Sequence, residues 1–446
     1  VKCFADVELR FQSAAETGDP QSNWNVILGE NGDGKTTLLK GIAACLMDAT
    51  TADRMLRPTG WVRGKAEVAA LDATIVPQSM DLGEASLKVR EIGYLIVQPT
   101  ASNGLATPTL TPPDAWSWTP FGHDASQMRG NLGLLANSAF SRGHSGGWMS
   151  AGYGPHRRPA GSSEPPPSKD VLERRFGTLF DERQPLYDCE SWLKELDRRA
   201  LKAGKSSIRR RTFDDAKEAV KSLLPGVEDI LVEDEVSFKW HGERANVDQL
   251  SQGYRSMFVL AVDMLRWMEE TRSTPEVSLR EVQGVVLVDE IDAHLHPEWQ
   301  RRVGFMLCKT FPNIQFIVAS HSPFVAMAAG KKALTLLERS DDVVTANQDV
   351  PYVRGWSVGR VLSELFSQLS QRDPETEARL EEYEKLRTAR TRRPLPKKKA
   401  ERLAELEAYL EERLRGDRDA LPNREMDASL SYFAKALKER EAKHHA

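Results

Sequence analysis

Apolar residues along this chain gather into short continuous runs rather than long periodic stripes. Trp24–Leu28 (WNVIL), Trp148–Tyr153 (WMSAGY), Gly284–Val288 (GVVLV), Gln315–Ala319 (QFIVA) and Leu334–Glu338 (LTLLE) are each of strand length and hold few polar positions. Such runs predict buried strands, with Gly284–Val288 the central strand of a parallel sheet. Val1–Phe11 alternates apolar and polar residues instead, which predicts a half-buried strand. Shorter strand signals lie at Glu67–Leu71, Tyr94–Gln98, Ile230–Val232 and Val236–Trp240, the last followed by a turn at His241–Glu243. Helical spacing takes over after Lys35, across the charged stretch Asp170–Leu224, from Leu250 to about Glu270, and over Trp299–Thr310. From Ser357 onward the chain is again helical and highly charged, with a break at Arg393–Lys399. Pro99–Gly147, rich in Gly, Ser, Thr, Pro and Asn, predicts a long irregular insertion, and Pro159–Ser168 a polar linker.

With 446 residues there is room for two or three domains, or for one large core with insertions. The pattern sets one lobe over residues 1–98, an insertion over 99–147, a strand-and-helix region over 148–246, a second lobe over 247–356 and a charged helical extension over 357–446. A content of 40% hydrophobic and 28% charged residues, with no run of eighteen apolar ones, predicts a soluble globular protein without a membrane span. The net charge of −4 excludes a strongly basic whole-protein footprint, yet leaves room for a local basic face. Cys3, Cys45, Cys189 and Cys308 are scattered, with no CxxC spacing. That suits free thiols in a reducing cytoplasm and argues against a disulfide framework or a zinc hook. No signal peptide is visible, and a start at Val1 within a strand-like stretch suggests that residues precede it.

Chemistry enters where the first apolar run ends. Gly29-Glu30-Asn31-Gly32-Asp33-Gly34-Lys35-Thr36 fits GxxxxGK[ST], between a predicted strand and a predicted helix. The loop Gly29, Asn31, Gly32 and Gly34 can fold around phosphates with its N–H groups inward. Lys35 then reaches the β- and γ-phosphates, and the Thr36 hydroxyl ligates Mg²⁺. Thr37 follows at the helix N-terminus, whose free N–H groups and positive dipole end face the same anion. ATP and Mg²⁺ are the expected ligands; a chance Gly-rich turn would not come with this strand and helix. Asp289–Glu290 directly follows Gly284–Val288. A carboxylate at a central strand end can hold Mg²⁺ through water, and its neighbour can orient or deprotonate an attacking water. An ordinary polar strand terminus would explain the pair equally well if it stood alone. Leu250-Ser251-Gln252-Gly253-Tyr254 is weaker still, since such residues commonly cap helices. A hydroxyl and a small residue at a helix N-terminus can also cradle a phosphate.

In this order, GENGDGKTTLL, LSQG, VVLVDEIDAHLHP and IVASHSP resemble the heads of ABC/SMC-like AAA-family ATPases, in the OLD/RecF-like branch. Residues 1–98 and 247–340 carry the likeness well, the segment between them in part. Ala151–Arg158 (AGYGPHRR) and Leu362–Phe366 (LSELF) are similar to stretches of the Septu-type ATPases of bacterial anti-phage defence. The resemblance implies an α/β P-loop NTPase fold of the ABC/SMC head type: a mixed sheet flanked by helices, with a helical insertion and a helical C-terminal extension. It makes LSQG the signature loop, with Ser251 and Gly253 at its phosphate-contacting positions and Gln252 and Tyr254 as departures. It places Asp292 in the D-loop, gives Asp289 and Thr36 to the metal, and makes Glu290 and the γ-phosphate-sensing His321 catalytic. Signature and P-loop then belong to opposite subunits, so the chain pairs with itself as a head-to-head homodimer or higher assembly. Some local readings stay open. His294 and His296 form an HxH pair that a turn before a helix starting at Pro297 also explains, and His321 could cap the next helix. Gln98 could be the Gln-loop residue or the start of the insertion.

Several functions share such motifs. A transporter nucleotide-binding subunit is disfavoured by the 216 positions from Lys35 to Ser251, roughly twice what a compact subunit needs. A RecF/SMC-like DNA repair ATPase remains the main alternative, although an inserted helical region of about 55 residues, at about 1.5 Å per residue, cannot form a long SMC arm. The favoured reading is the sensor ATPase of an anti-phage defence system. No nuclease motif is visible: beyond His321 the acidic cluster is Glu338, Asp341 and Asp342, without the DxD pattern of a Toprim domain. A separate effector, such as an HNH nuclease, is therefore the implied partner, on resemblance alone. A nucleotide-gated scaffold without turnover is the non-enzymatic alternative. Arg157–Arg158, Arg174–Arg175, Arg198–Arg199 and Arg209–Arg211 are basic clusters that either contact DNA or form solvated helix faces.

Overall fold

The apolar runs all become strands of one sheet in a computed structural model, which describes residues 3–4, 6–47, 49–56, 61, 68–75, 90–97, 118–120, 148–159, 170–186, 188–204, 207–272, 274–366, 373–392 and 394–413. In chain order the strands are β1 (Trp24–Leu28), β2 (Val68–Ile75), β3 (Arg90–Val97), β4 (Trp118–Pro120), β5 (Trp148–Tyr153) and β6 (Val227–Val232). They continue with β7 (Val236–Trp240), β8 (Glu243–Asn246), β9 (Gln283–Val288), β10 (Ile314–Ser320), β11 (Leu334–Ser340) and β12 (Val343–Asn347). The main sheet runs β12-β11-β1-β10-β9-β5, parallel throughout except for the antiparallel β12. This is the mixed α/β sheet expected, and all five residues of β1 are buried, as a two-sided cover requires. Because β11, β1, β10, β9 and β5 share one direction, their carboxyl ends line a single edge. In open α/β sheets that edge is where ligands bind.

Helices close both faces. The P-loop helix Lys35–Cys45 buries Leu39, Ala43 and Ala44, and Val171–Phe180 lies against β5 through Phe176. The helix Gln252–Thr271 is buried along most of its length, from Ser256 to Met268. Two antiparallel three-stranded sheets, β2-β3-β4 and β6-β7-β8, accompany the main one. The charged helical stretch resolves into Val171–Phe180, Cys189–Ala203 and Ile208–Ser222, each started by a side-chain cap from Asp170, Asp188 or Ser207. Among the described residues no helix is long and apolar enough to cross a membrane.

The opening stretch differs from its expectation. Its described residues form no strand; Phe4 makes one bridge to Val344, and Val7 and Phe11 pack on the core as separate side chains. Side chains instead of a ladder meet the backbone donors of Arg10 in that stretch and of Gln12 just beyond it: Arg10 N donates to Gln348 Oε1 (2.9 Å) and Gln12 N to Asn25 Oδ1 (2.7 Å). Alternating burial was thus achieved without a neighbouring strand. Most of the Pro99–Gly147 insertion, and Gln98 with it, lies outside the described residues; Trp118–Pro120 pairs with β3 as β4.

Residues 1–361 and 362–446 are separate compact units. In the second, Pro374–Arg392 and Lys397–Arg413 form a helical hairpin around Tyr383, Leu403, Leu406 and Leu410. Pro394 and Pro396 lie between them, where a proline cannot sustain a helix. Arg402 pairs with Glu382 across the hairpin at 2.9 Å.

Packing between β5 and β9 leaves no room for a side chain at Gly284, where a Cβ would fall 2.0 Å from the Met149 carbonyl oxygen. Gly284→Ala should therefore cost about 1–3 kcal/mol through forced strand separation, seen in urea unfolding as a lower midpoint at unchanged m. An unchanged midpoint would show that the two strands can separate freely.

Candidate nucleotide site

Three neighbouring parallel strands end at this site: β1 leads into the P-loop, β9 into Asp289–Glu290 and β10 into His321. Gly32 (φ +90°) and Gly34 (φ +84°) take left-handed backbone angles, which let the loop wrap inward. Lys35 is buried, and its Nζ donates to the carbonyls of Gly29 (2.9 Å) and Glu30 (2.8 Å). Nζ also lies 3.4 Å from His321 Nδ1. Burial lowers the Lys35 pKa, opposed by the carboxylates of Asp33, Asp289, Glu290 and Asp292.

The Thr36 hydroxyl donates to Asp289 Oδ2 at 2.5 Å. Asp289 is buried; desolvation raises its pKa, opposed by that hydroxyl, the Glu290 amide and Lys35. A hydroxyl beside a desolvated carboxylate is a set of hard oxygen donors lacking positive charge, and it fits Mg²⁺. The inward glycine loop, Lys35 and the helix N-terminus fit the triphosphate of ATP.

Glu290 is exposed and holds φ +43°, a left-handed conformation that non-glycine residues seldom adopt. Such strain persists where surrounding contacts impose it. His321 is half-buried, and burial followed by the nearby Lys35 lowers its pKa, so the ring is neutral at pH 7. It does not cap the following helix: the Ser322 hydroxyl does, accepting from Phe324 N at 3.1 Å. Asp292 turns onto the end of β10, where its Oδ1 accepts from Ser320 Oγ at 2.5 Å.

Ser251 stands at the N-cap of the twenty-residue helix Gln252–Thr271, yet its hydroxyl makes no capping bond and its side chain is exposed. Among the described residues no hydrogen bond joins it to the P-loop of its own chain. Gly253 allows close approach to the turn after β9, since a Cβ there would be 2.6 Å from the His294 carbonyl oxygen. Both departures from the signature pattern have partners. Gln252 Nε2 lies 3.1 Å from His294 Nε2, while the Tyr254 hydroxyl donates to Pro225 O (2.7 Å) with its ring 4.0 Å from Trp299. His296 caps the helix beginning at Pro297, so the two histidines of the HxH string serve different partners.

Two arginines absent from the sequence expectations for the site join it. Arg339, near the end of β11, donates to the Gly32 carbonyl and lies 3.5 Å from Asp33, whose Oδ2 in turn accepts from Glu30 N at 2.6 Å. Arg157, in the turn after β5, donates to the carbonyls of Gly154, Asp289 and Glu290. Burial pulls its pKa down to about 10, which leaves it charged at neutral pH. The basic clusters are thus largely engaged within the chain. Arg157 and Arg175 are buried, Arg199 pairs with Glu269 at 2.9 Å, and Arg198 pairs with Glu195 at 2.7 Å. Buried arginines cannot face DNA. Nothing in the bare pattern of basic residues marked the difference; for Arg157 the one signal was its place just after an apolar run and a Gly-Pro turn.

A family described as "AAA domain" matches residues 1–79, and one described as "AAA domain, putative AbiEii toxin, Type IV TA system" matches residues 168–328, together more than half of the chain. The chain carries AAA-type ATPase domains. The Septu protein PtuA of Bacillus mycoides (strain KBAB4) is 23% identical over 401 residues, covering 86% of this chain and 45% of that protein. The Retron Ec83 probable ATPase of Escherichia coli is 34% identical over 186 residues, 40% of this chain and 33% of that one. The chain therefore spans less than half the length of these curated relatives. Among solved structures, an SMC head domain from Thermotoga maritima shares 14% identity at a TM-score of 0.37, covering 72% of this chain and 88% of that one. An Smc head bound to the C-winged helix domain of ScpA gives 15% and 0.42, covering 73% and 89%. These scores are low, and the fold class rests on the strand order itself.

The raised pKa of Asp289 has a consequence for stability. Its folded value lies above the unfolded 3.8, so the folded state holds the proton more tightly and loses stability as pH rises through that window. At pH 7 without Mg²⁺ the buried carboxylate is a net cost. Asp289→Asn keeps an acceptor for Thr36 without the charge and should raise Tm by roughly 2–4 °C at pH 7 in EDTA, with the gain vanishing in acid. A lower Tm for Asp289→Asn at pH 7 would contradict this account of the site.

Proposed function

We propose that this chain is an ATP-driven switch in which two copies pair head to head, each ATP held between Lys35 of one copy and Ser251 of the other. The observation that carries this reading is the exposed, uncapped Ser251 at the start of a long helix, unbonded to the P-loop of its own chain. That helix end presents free N–H groups and a hydroxyl outward, suited to the γ-phosphate of a nucleotide carried by the other copy. Closure would give two equivalent sites about a two-fold axis.

Within each site Lys35 binds the β- and γ-phosphates, and Thr36 and Asp289 hold the metal. When bound, Mg²⁺ neutralises charge on the transferred phosphoryl group. Glu290 orients the attacking water and accepts its proton. His321, whose Nδ1 lies next to Lys35 Nζ, donates a hydrogen bond from its other ring nitrogen to the γ-phosphate. Asp292 steadies the end of β10 through Ser320. Loss of the γ-phosphate removes ligands from both copies at once and favours opening.

The setting proposed is a bacterial anti-phage defence system, where the switch controls a separate effector such as an HNH nuclease. Similarity to a Septu protein and to a retron probable ATPase supports this setting. DNA contact, if part of the output, must use surfaces other than Arg157 and Arg175.

Lys35→Ala removes charge-assisted bonds of about 1.5–3 kcal/mol, so ATP affinity should fall at least about tenfold in a calorimetric titration. Glu290→Gln should bind ATP like the wild type but release phosphate about 10²–10⁴-fold more slowly. Full turnover by Glu290→Gln would remove Glu290 from the role of base.

A further inference from the structure

Arg157 lies outside the P-loop, the LSQG string and the Asp289–Glu290 pair, yet its guanidinium reaches both the helix that starts at Gln252 and the Asp289–Glu290 backbone. It is buried, and all three guanidinium nitrogens are used. Nε donates to Ser256 Oγ at 2.9 Å, Nη1 to Gly154 O and Asp289 O at 3.0 Å each, and Nη2 to Glu290 O at 3.2 Å. Ser256 belongs to the signature helix, five residues beyond Ser251. Two turns further along the same helix, Asp263 accepts from the Tyr153 hydroxyl and the Trp267 indole, both at 2.9 Å. Tyr153 is the last residue of β5, and its carbonyl accepts from Asp289 N at 2.8 Å.

The segment from Tyr153 to Arg157 is thus tied to the signature helix at two points and to the Asp289–Glu290 backbone at its other side. Glu290 needs such a hold, because its left-handed backbone angle is unfavourable for a residue with a side chain. An arginine suits the task. Its rigid planar fork fixes several acceptors in one geometry, which the point charge of a lysine cannot do.

We propose that Arg157 is a positioning residue that ties the placement of Glu290 to the position of the signature helix. It acts through the two carbonyls it holds and touches neither phosphate nor the reacting water. Movement of the helix at Ser256 shifts the guanidinium, and with it the peptide from which the Glu290 side chain projects. The signature end meets the partner's nucleotide in the reading above, on which this inference rests. Engagement there is then felt at Glu290 of the same chain.

The test uses the full chain with Arg157→Lys, Ser256→Ala and the double variant, beside the wild type and Glu290→Gln. For Arg157→Lys, kcat should fall about 10–100-fold while KM and Kd for ATP stay within about twofold. Ser256→Ala should lower kcat about threefold to tenfold, and the double variant should match Arg157→Lys within about twofold, since the serine acts through the arginine. Amide hydrogen exchange across residues 286–296 should quicken in each variant, with β10 unchanged. The proposal is overturned if kcat and exchange stay at wild-type levels, or if ATP affinity falls in step with kcat. Should Arg157→Lys not fold, Ser256→Ala decides by the same criteria. If the wild type hydrolyses ATP no faster than Glu290→Gln, the ATPase reading fails instead, and the exchange data alone still judge Arg157.

Discussion

Five neighbouring strands running in one direction are the constraint on which the site depends. Because β11, β1, β10, β9 and β5 are parallel, Arg339, the P-loop, His321, Asp289–Glu290 and Arg157 all emerge at one edge. Reversing any one of these strands would send its residues to the far side of the sheet. Parallel pairing also demands long crossovers, and these supply the helices that bury the sheet on both faces. The continuous apolar runs are the sequence trace of that burial.

Charge at this edge is arranged against the preference for solvation. Lys35, Asp289 and Arg157 are all buried, and burial moves each toward its neutral form. Opposite charges within the site offset part of the cost, and backbone carbonyls take the remaining donors of Lys35 and Arg157. A bound metal and triphosphate would add the missing counter-charges. The same features that make the site costly in the empty protein therefore make it receptive, a common trade at functional sites.

Much of this was legible in the sequence, for definite reasons. The P-loop, Asp289 and His321 each follow a short apolar run bounded by polar or glycine residues, the length and setting of a buried strand ending at a loop. What could not be read were contacts between distant segments. Arg157 looks like one of several basic residues until the carbonyl of Asp289, 132 positions away, comes within reach. Arg339 meets Gly32 across 307 positions with no local signal. Val1–Phe11 misled for a related reason: alternation reports which side chains are buried, whereas a ladder also needs an open partner edge, and here Asn25 and Gln348 supplied the hydrogen bonds. Gln252 and Tyr254 break the signature pattern in one dimension and find their partners in three.

Pairing of two copies is the central claim, and subunit mixing tests it directly. Lys35→Ala and Ser251→Arg should each be inactive alone, since every site then lacks either its P-loop lysine or its signature contact. In an equimolar mixture, half of the pairs would be mixed, and each mixed pair would contain one site with both elements intact. Phosphate release should recover to about a quarter of the wild-type rate, the share expected for two-fold symmetric pairing. No recovery above the separate variants, at concentrations where the wild type is active, would contradict a site shared between two chains.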